Sequence, residues 1–229
     1  LFAAEKGNAL AGTKPLKLEG DLSAQMVAGI DRFLMSKIKV ATKQRPTFWK
    51  RDYRTNDTYH FSVLKNRDHF RYCIGAVDEL KPIKALEYIS TTDQSSLLYQ
   101  DTTMTIHAVR WAVLQGVHGE GLLIQPKGTI RARVVAVPDA DQTPEQLAGI
   151  ESGIEAQAQF ARRLAAAGCQ VVVPSLINRS DENSGNARVR FTNQTHREWI
   201  YRQAFQMGRH IIGYEVLKVQ AIINWFSTE

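Results

Sequence analysis

The stretch Pro138-Asp139-Ala140-Asp141-Gln142-Thr143-Pro144-Glu145-Gln146 follows an apolar run and contains Thr-x-x-Gln with a proline in second place. In that pattern the Thr143 hydroxyl and the Gln146 side chain satisfy free amides at a helix start, and Pro144 takes a position where an N–H is dispensable. Such a start leaves backbone N–H groups and a partial positive charge facing the preceding loop. A second polar loop, Asn178-Arg179-Ser180-Asp181-Glu182-Asn183, follows a second apolar run. There Arg179 and Asp181 are candidates to touch a sugar or a carboxylate, against the plainer reading of a salt bridge within the loop. A third pattern is the run Lys37, Lys39, Lys43, Arg45, Lys50, Arg51 and Arg54, interleaved with Phe48, Trp49 and Tyr53. Those residue types neutralise phosphates and stack on bases. The same aromatics fit one buried helical face with the charges in water, and that is the arrangement expected here.

Other chemistries fail on spacing. A nucleophile elbow needs Gly-x-Ser-x-Gly after a strand, and the sequence has none. Ser184 precedes Gly185 but stands in polar Glu182-Asn183-Ser184-Gly185-Asn186, while Ser23 and Ser175 lack flanking glycines. His60, His69, His107, His118, His196 and His210 show no metal-binding spacing, so they read as surface or capping residues and no metal site is expected. The stretch from Gly7 to Lys14 mimics a phosphate loop with its Thr and Lys in the wrong order. The close glycines from Gly116 to Gly121 read as a hairpin turn.

Composition sets the frame for these patterns. The chain has 229 residues, 44% of them hydrophobic and 23% charged. Those values exclude a mostly disordered, collagen-like or disulfide-scaffold chain. No stretch is long and apolar enough to cross a bilayer. The net charge of +6 permits nucleic-acid or anionic-surface binding without requiring it. Cys73 and Cys169 read as two unpaired thiols. The opening Leu1-Phe2-Ala3-Ala4-Glu5-Lys6 looks like the end of a signal peptide with its small-residue cleavage site, so export to the periplasm or beyond is expected.

The elements that must position the candidate residues follow from periodicity. Residues 1–22 read as a leader. From Ser23 a helix is predicted, with Met26, Val27, Ile30, Phe33 and Leu34 on one face. A second helical stretch covers residues 59–74. Strands are predicted at 85–92 and 104–114, with Ile106, Ala108 and Arg110 on one side of the latter and His107, Val109 and Trp111 on the other. A return strand follows at 122–126. Residues 132–138, apart from Arg133, and residues 169–174, apart from Gln170, are nearly continuous apolar runs, as in strands buried on both faces. Between them lies a helix at 159–168, with Phe160, Leu164 and Ala165 inward and Arg162 and Arg163 outward. Strand, helix, strand with both strands apolar predicts a parallel pair. Residues 177–193 form a long loop. Thr195-x-x-Glu198 then caps a helical face that continues to Trp225, with Gly208 and Gly213 as points of bending or breakage.

This order of elements resembles the first half of an α/β-hydrolase domain. Residues 133–141, 160–174 and 213–226 carry the resemblance, which covers about residues 104–226. The chain is most similar to large bacterial hydrolases related to acetyl xylan esterases and dienelactone hydrolases. The resemblance implies an incomplete α/β-hydrolase, a mostly parallel sheet with flanking helices, preceded by a helical segment. It divides the chain into a leader (1–22), a helical accessory segment (23–80) and the amino-terminal half of the hydrolase domain (81–229). It also implies that a Ser attacks an ester carbonyl, a His takes the proton and an acidic residue orients that His. All three are expected beyond Glu229, so the chain alone is expected to be inactive. The family places one oxyanion-hole donor in the loop after the first buried strand, which makes the backbone N–H groups of Asp139, Ala140, Asp141 and Gln142 the candidates. Asp139-Ala140 stands where the family commonly has His-Gly. The later strand of the family lies beside residues 134–137, whose edge is otherwise unpaired. The implied substrate is a carboxylic ester, with acetyl esters of polysaccharide as one such class. No cofactor, nucleic acid or membrane partner is expected. Two rival readings stand beside this one: a non-catalytic binding module on a hydrolase-like fold, and a basic nucleic-acid-binding protein.

Overall fold

A computed structural model of the chain describes residues 12–14, 16–184 and 194–228. The signal-like opening, most of the expected leader, most of the phosphate-loop mimic and residues 185–193 of the long loop lie outside the described residues. The chain divides into two compact units, Leu1–Asn66 and Arg67–Glu229.

In the first unit, α1 (Leu22–Gln44) starts at Asp21, whose carboxylate accepts from the Ala24 amide at 3.0 Å. A 3-10 turn, Arg45–Phe48, follows, with Pro46 near its start. α2 (Asn56–Cys73) comes after an extended stretch and continues into the second unit. The expected apolar face of α1 is present, yet no residue of this helix is buried. Phe48, Trp49 and Tyr53 are exposed on the turn and the extended stretch, so the buried helical face expected of them is not formed. Pro46 supplies the reason, because it withholds the N–H that would carry the helix onward.

The second unit is built on a sheet. Its strands are β1 (Glu87–Tyr88), β2 (Leu97–Gln100), β3 (Met104–Leu114), β4 (Val117–Pro126), β5 (Ala132–Val135) and β6 (Cys169–Pro174). They are ordered β1-β3-β4-β6-β5, with β2 also pairing with β3. The pair β5–β6 is parallel, and β1, β2 and β4 run antiparallel to β3, as β4 does to β6. The sheet is therefore mixed, which corrects the expectation of a mostly parallel one. The strand–helix–strand unit is parallel as its apolar runs imply, but the β3–β4 hairpin and the short β1 and β2 add antiparallel ladders.

Helices α3 (Pro144–Ala148) and α4 (Phe160–Ala166) connect β5 to β6, and α5 (His196–Gln206) and α6 (Ile211–Phe226) follow. The pleat divides the sheet's side chains between two cores. On one face Met104, Ile106, Leu122, Ile124, Val171 and Val173 meet Leu147, Ala161 and Ala165 of α3 and α4. On the other, Val109, Trp111, Val113, Leu123 and Val172 meet Leu217, Ala221, Ile222 and Trp225 of α6. The Trp111 indole N–H donates to the Lys218 carbonyl at 3.2 Å and ties α6 to the sheet.

Helix α4 is turned from its expected setting. Phe160 is exposed, Ala161 and Ala165 are buried, and Leu164 is half-buried. The Arg162 side chain is half-buried, its guanidinium 4.6 Å from the Tyr99 ring centroid with Nη2 donating to the Tyr99 hydroxyl at 2.8 Å. The chain breaks between α5 and α6 at Gly208, whose φ of 68° suits a residue without Cβ. Gly213 lies inside α6, where a Cβ would fall 2.5 Å from the Gly75 carbonyl carbon. Cys73 and Cys169 are both free thiols.

Two carboxylates of the second unit are held below their usual range by their hydrogen bonds. Asp101 accepts from the Thr103 hydroxyl and amide (both 2.7 Å), the Met104 amide (2.9 Å) and the Tyr99 hydroxyl (3.0 Å). The Thr103 bonds, foremost, hold its carboxyl far below the usual range. Arg209 donates to Asp78 at 2.6 Å and lowers that carboxyl also. Both are depressed in the folded state, so their stabilisation is complete above the unfolded pKa of about 3.9 and is lost as pH falls below it. Chemical denaturation as a function of pH should show stability declining below about pH 4, and Asp101→Asn should flatten that decline.

Candidate functional site

Because β5 and β6 are parallel, Val135 and Pro174 end at the same edge of the sheet. Open α/β sheets bind ligands beyond the carboxyl ends of their strands. Two loops meet at this edge, one after β5 and one after β6.

In the first loop, the Ala136 amide still donates to the Val172 carbonyl at 2.9 Å. The chain then leaves the sheet and enters α3 through Thr143. Both halves of the capping box are formed: the Gln146 amide donates to Thr143 Oγ1 and the Thr143 amide to Gln146 Oε1, each at 3.1 Å. Between these anchors the candidate amides are mostly engaged. Asp139 N–H donates to Gln142 Oε1 (3.2 Å), Ala140 N–H to Asp139 Oδ1 (2.6 Å) and Gln142 N–H to the Asp139 carbonyl (3.0 Å). Of the four, the Asp141 amide is the one with no hydrogen bond among the described residues.

The second loop reaches the first through one guanidinium. Arg179 Nη1 is ion-paired with Asp141 and lies 3.7 Å from Asp139. It thus bridges the two loops instead of closing on a carboxylate of its own. Asp181 is not part of that bridge; its carbonyl accepts from the Ser184 amide and hydroxyl. The Ser184 hydroxyl is also bonded to the Gln194 carbonyl.

Three residues that the sequence did not mark as site candidates organise this edge, among them His196, which it read as a surface or capping residue. His196 opens α5, with Nδ1 2.7 Å from Asn178 Oδ1, while Nε2 accepts from the Asn183 amide at 2.9 Å. That pairing calls for the neutral imidazole with its proton on Nδ1. The His196 amide donates to the Ser180 carbonyl at 2.8 Å, so the loop is stitched to the helix start. Arg197 donates to Glu215 Oε1 at 2.5 Å and Oε2 at 3.0 Å, and to the Ile177 carbonyl at 2.8 Å. Glu215 is only 9% exposed. Its hydrogen-bonding carboxylate raises the Arg197 pKa against the opposing effect of burial, and the charges of Asp141 and Asp139 act in the same direction as Glu215. A signal was available: Glu215 stands among Ile211, Leu217 and Ile222 on an apolar helix, and a carboxylate there requires a partner. An apolar hollow of about 330 Å³ opens beside the loops, lined by Val137, Leu176, Ile212, Val216 and Val219 with Glu215. Among the described residues no group of three or more His, Cys, Asp or Glu side chains is placed to hold a metal ion.

No protein-family model matches the chain, and no curated protein matches it. Similar solved structures include a candidate acetyl xylan esterase from Bacteroides fragilis NCTC 9343, at 16% identity over 74% of this chain with a TM-score of 0.49. They also include acetyl xylan esterase 1 from a Thermoanaerobacterium species, at 12% identity over 63% of this chain with a TM-score of 0.29. In each case the match spans 44% of the other protein's chain.

Removing one member of the Arg197–Glu215 pair should be far worse than removing both. Glu215→Ala should lower unfolding stability by about 3–5 kcal/mol, because it strands a buried guanidinium. Arg197→Met combined with Glu215→Leu should cost markedly less than the single change, as measured by urea denaturation.

Proposed function

We propose that this chain is the amino-terminal part of an α/β-hydrolase, and that the complete enzyme cleaves carboxylic esters by serine acyl transfer. Acetyl esters of polysaccharide are the substrate class we favour. The observation that supports this most is the free edge of β5. That strand pairs with β6 on one side, and among the described residues it ends the sheet on the other. A groove of about 600 Å³ runs along the free side, between residues 130–135 and Val219, Ile223 and Phe226 of α6. In the family that the sequence resembles, the strand leading to the nucleophile lies in this place. A strand entering the groove parallel to β5 would end at the same sheet edge as the 136–143 loop. The serine, the acidic residue and the histidine then belong to the sequence after Glu229, and the opening residues 1–6 fit an exported protein.

On this reading the oxyanion donor in the loop is the Asp141 amide. Among the described residues it is the candidate amide with no hydrogen bond, and the capped start of α3 fixes its loop. Preorganised backbone donors aimed at a developing oxyanion stabilise the transition state without rearrangement during reaction. Asp139, Ala140 and Gln142 act on their neighbours, holding the loop's shape through the bonds described above. Serine acyl transfer needs no cofactor.

The coding sequence after codon 229 should contain Gly-x-Ser-x-Gly within about twenty codons. Expressed from that longer frame, the enzyme should hydrolyse p-nitrophenyl acetate. Asp141→Pro should reduce kcat by about 10²–10³-fold, whereas Asp141→Asn, which keeps the amide, should stay within about threefold. A frame with no elbow serine would sink the hydrolase reading. An unchanged kcat in Asp141→Pro would remove this amide from the mechanism.

A further inference from the structure

Helix α1 is 23 residues long, and none of its residues is buried. Met26, Val27, Ile30, Phe33, Leu34 and Ile38 recur at spacings of three and four and so share one side of it. Each of the six is more than half exposed, from 52% at Leu34 to 67% at Val27. Arg32, Lys39 and Lys43 project from the opposite side.

Charge is as unevenly placed as apolar surface. From Leu22 to Arg54 there are eight Lys and Arg against two Asp and Glu, an excess of six. The whole chain holds 29 against 23, also an excess of six, which leaves 21 of each sign elsewhere. The protein's entire net positive charge therefore belongs to this one segment. Asp52 is taken by Arg54 at 2.6 Å. Among the described residues none of Arg32, Lys37, Lys39, Lys43, Arg45, Lys50 and Arg51 is ion-paired. Exposed Phe48, Trp49 and Tyr53 follow the helix, with the Arg51 guanidinium 4.1 Å from the Trp49 ring centroid.

We propose that this segment binds an anionic lipid surface, with α1 lying in the plane of the interface. Its six aliphatic and aromatic side chains enter the acyl region, and its cations sit among the phosphates of the headgroups. A long helix with a basic polar face, an apolar opposite face and low mean hydropathy is the physical description of an interfacial helix. Each Lys or Arg near such a surface adds attraction, and aromatic side chains favour the headgroup level. A second copy of the chain fits less well, because pairing two such segments brings like charges together. A nucleic acid would use the cations and the three aromatics but leave the apolar side of α1 in water. The proposal departs from the expectation of no membrane partner, which rested on the lack of a spanning stretch. No helix among the described residues is long and apolar enough to cross a membrane, and a helix lying on one need not be. The inference does not depend on the hydrolase reading.

Co-sedimentation of the full chain with vesicles of phosphatidylcholine, with and without phosphatidylglycerol, tests it. Binding should be at least about tenfold tighter with phosphatidylglycerol and should weaken as salt is added. Ile30→Asp with Phe33→Asp should lower partitioning at least about tenfold. Lys39→Gln with Lys43→Gln should weaken the preference for anionic vesicles while leaving the apolar side intact, which keeps the test valid if the first variant loses helix content. Three results would overturn the proposal. One is equal or absent binding to both vesicle types. Another is a concentration-dependent dimer that the Asp variant abolishes, without vesicle binding, which assigns the face to a second copy. The last is salt-sensitive binding to single-stranded DNA that exceeds vesicle binding and survives the Asp variant, which assigns the segment to nucleic acid.

Discussion

A guanidinium and a carboxylate that are both withdrawn from water must meet, because neither is tolerable alone. Arg197 and Glu215 meet across the two helices that follow β6, and Arg197 also holds the Ile177 carbonyl just beyond that strand. One buried pair therefore sets α5 against α6 and sets both against the end of the sheet. The outer contacts are arranged around it. His196, next in chain to Arg197, stitches the second loop to the start of α5, and Arg179 carries that loop across to Asp139 and Asp141. The Arg179 bridge is exposed and is worth little by itself. It acts on a frame that the buried pair has already positioned.

The candidate loop is stiff for reasons that do not involve a ligand. Its start is tied to β6 through the Ala136 amide, and its end is closed by the reciprocal bonds of Thr143 and Gln146. Between these ends, most of the polar groups satisfy one another. A loop so arranged keeps its shape whether or not anything occupies the edge, which is the condition for a preorganised backbone donor. The apolar hollow lined by Val137 and Leu176 lies at the same edge, so one end of the sheet offers both polar and apolar surface.

Legibility in the sequence tracked how local each determinant was. The two-sided pattern of residues 104–114 held, and it separates the two cores in the structure. The strands β5 and β6 and the capping box at Thr143 were legible because all three are short-range patterns. Only β6 is buried on both faces as expected; β5 borders the groove and its residues are exposed or half-buried. The hairpin turn made the antiparallel β3–β4 pair legible, but the antiparallel pairing of β4 with β6 and of β1 and β2 with β3 was not, because periodicity marks a strand without naming its neighbour. Phe160 was expected inward with Leu164 and Ala165, yet Ala161 and Ala165 occupy the inner side of α4 and Phe160 is exposed. At the site, the capping pattern located the loop, but Arg179 bridges to Asp141 across 38 positions and Arg197 reaches Glu215 across 18. No spacing rule covers such pairs. Only the lone carboxylate on an apolar helix face hinted at one of them.

The strand order also governs when the sheet can be completed. β5 precedes β6 in the chain but lies outside it, since β6 is inserted between β4 and β5. During synthesis β5 emerges with no edge to join, and it waits until Cys169–Pro174 has followed. Ala132 pairs with Cys169, so closing that ladder means first closing the intervening segment that holds α3 and α4. The β3–β4 hairpin has no such delay, because its strands are joined by a tight turn. The strand that borders the candidate loop is thus one whose sheet partner comes after it in the chain.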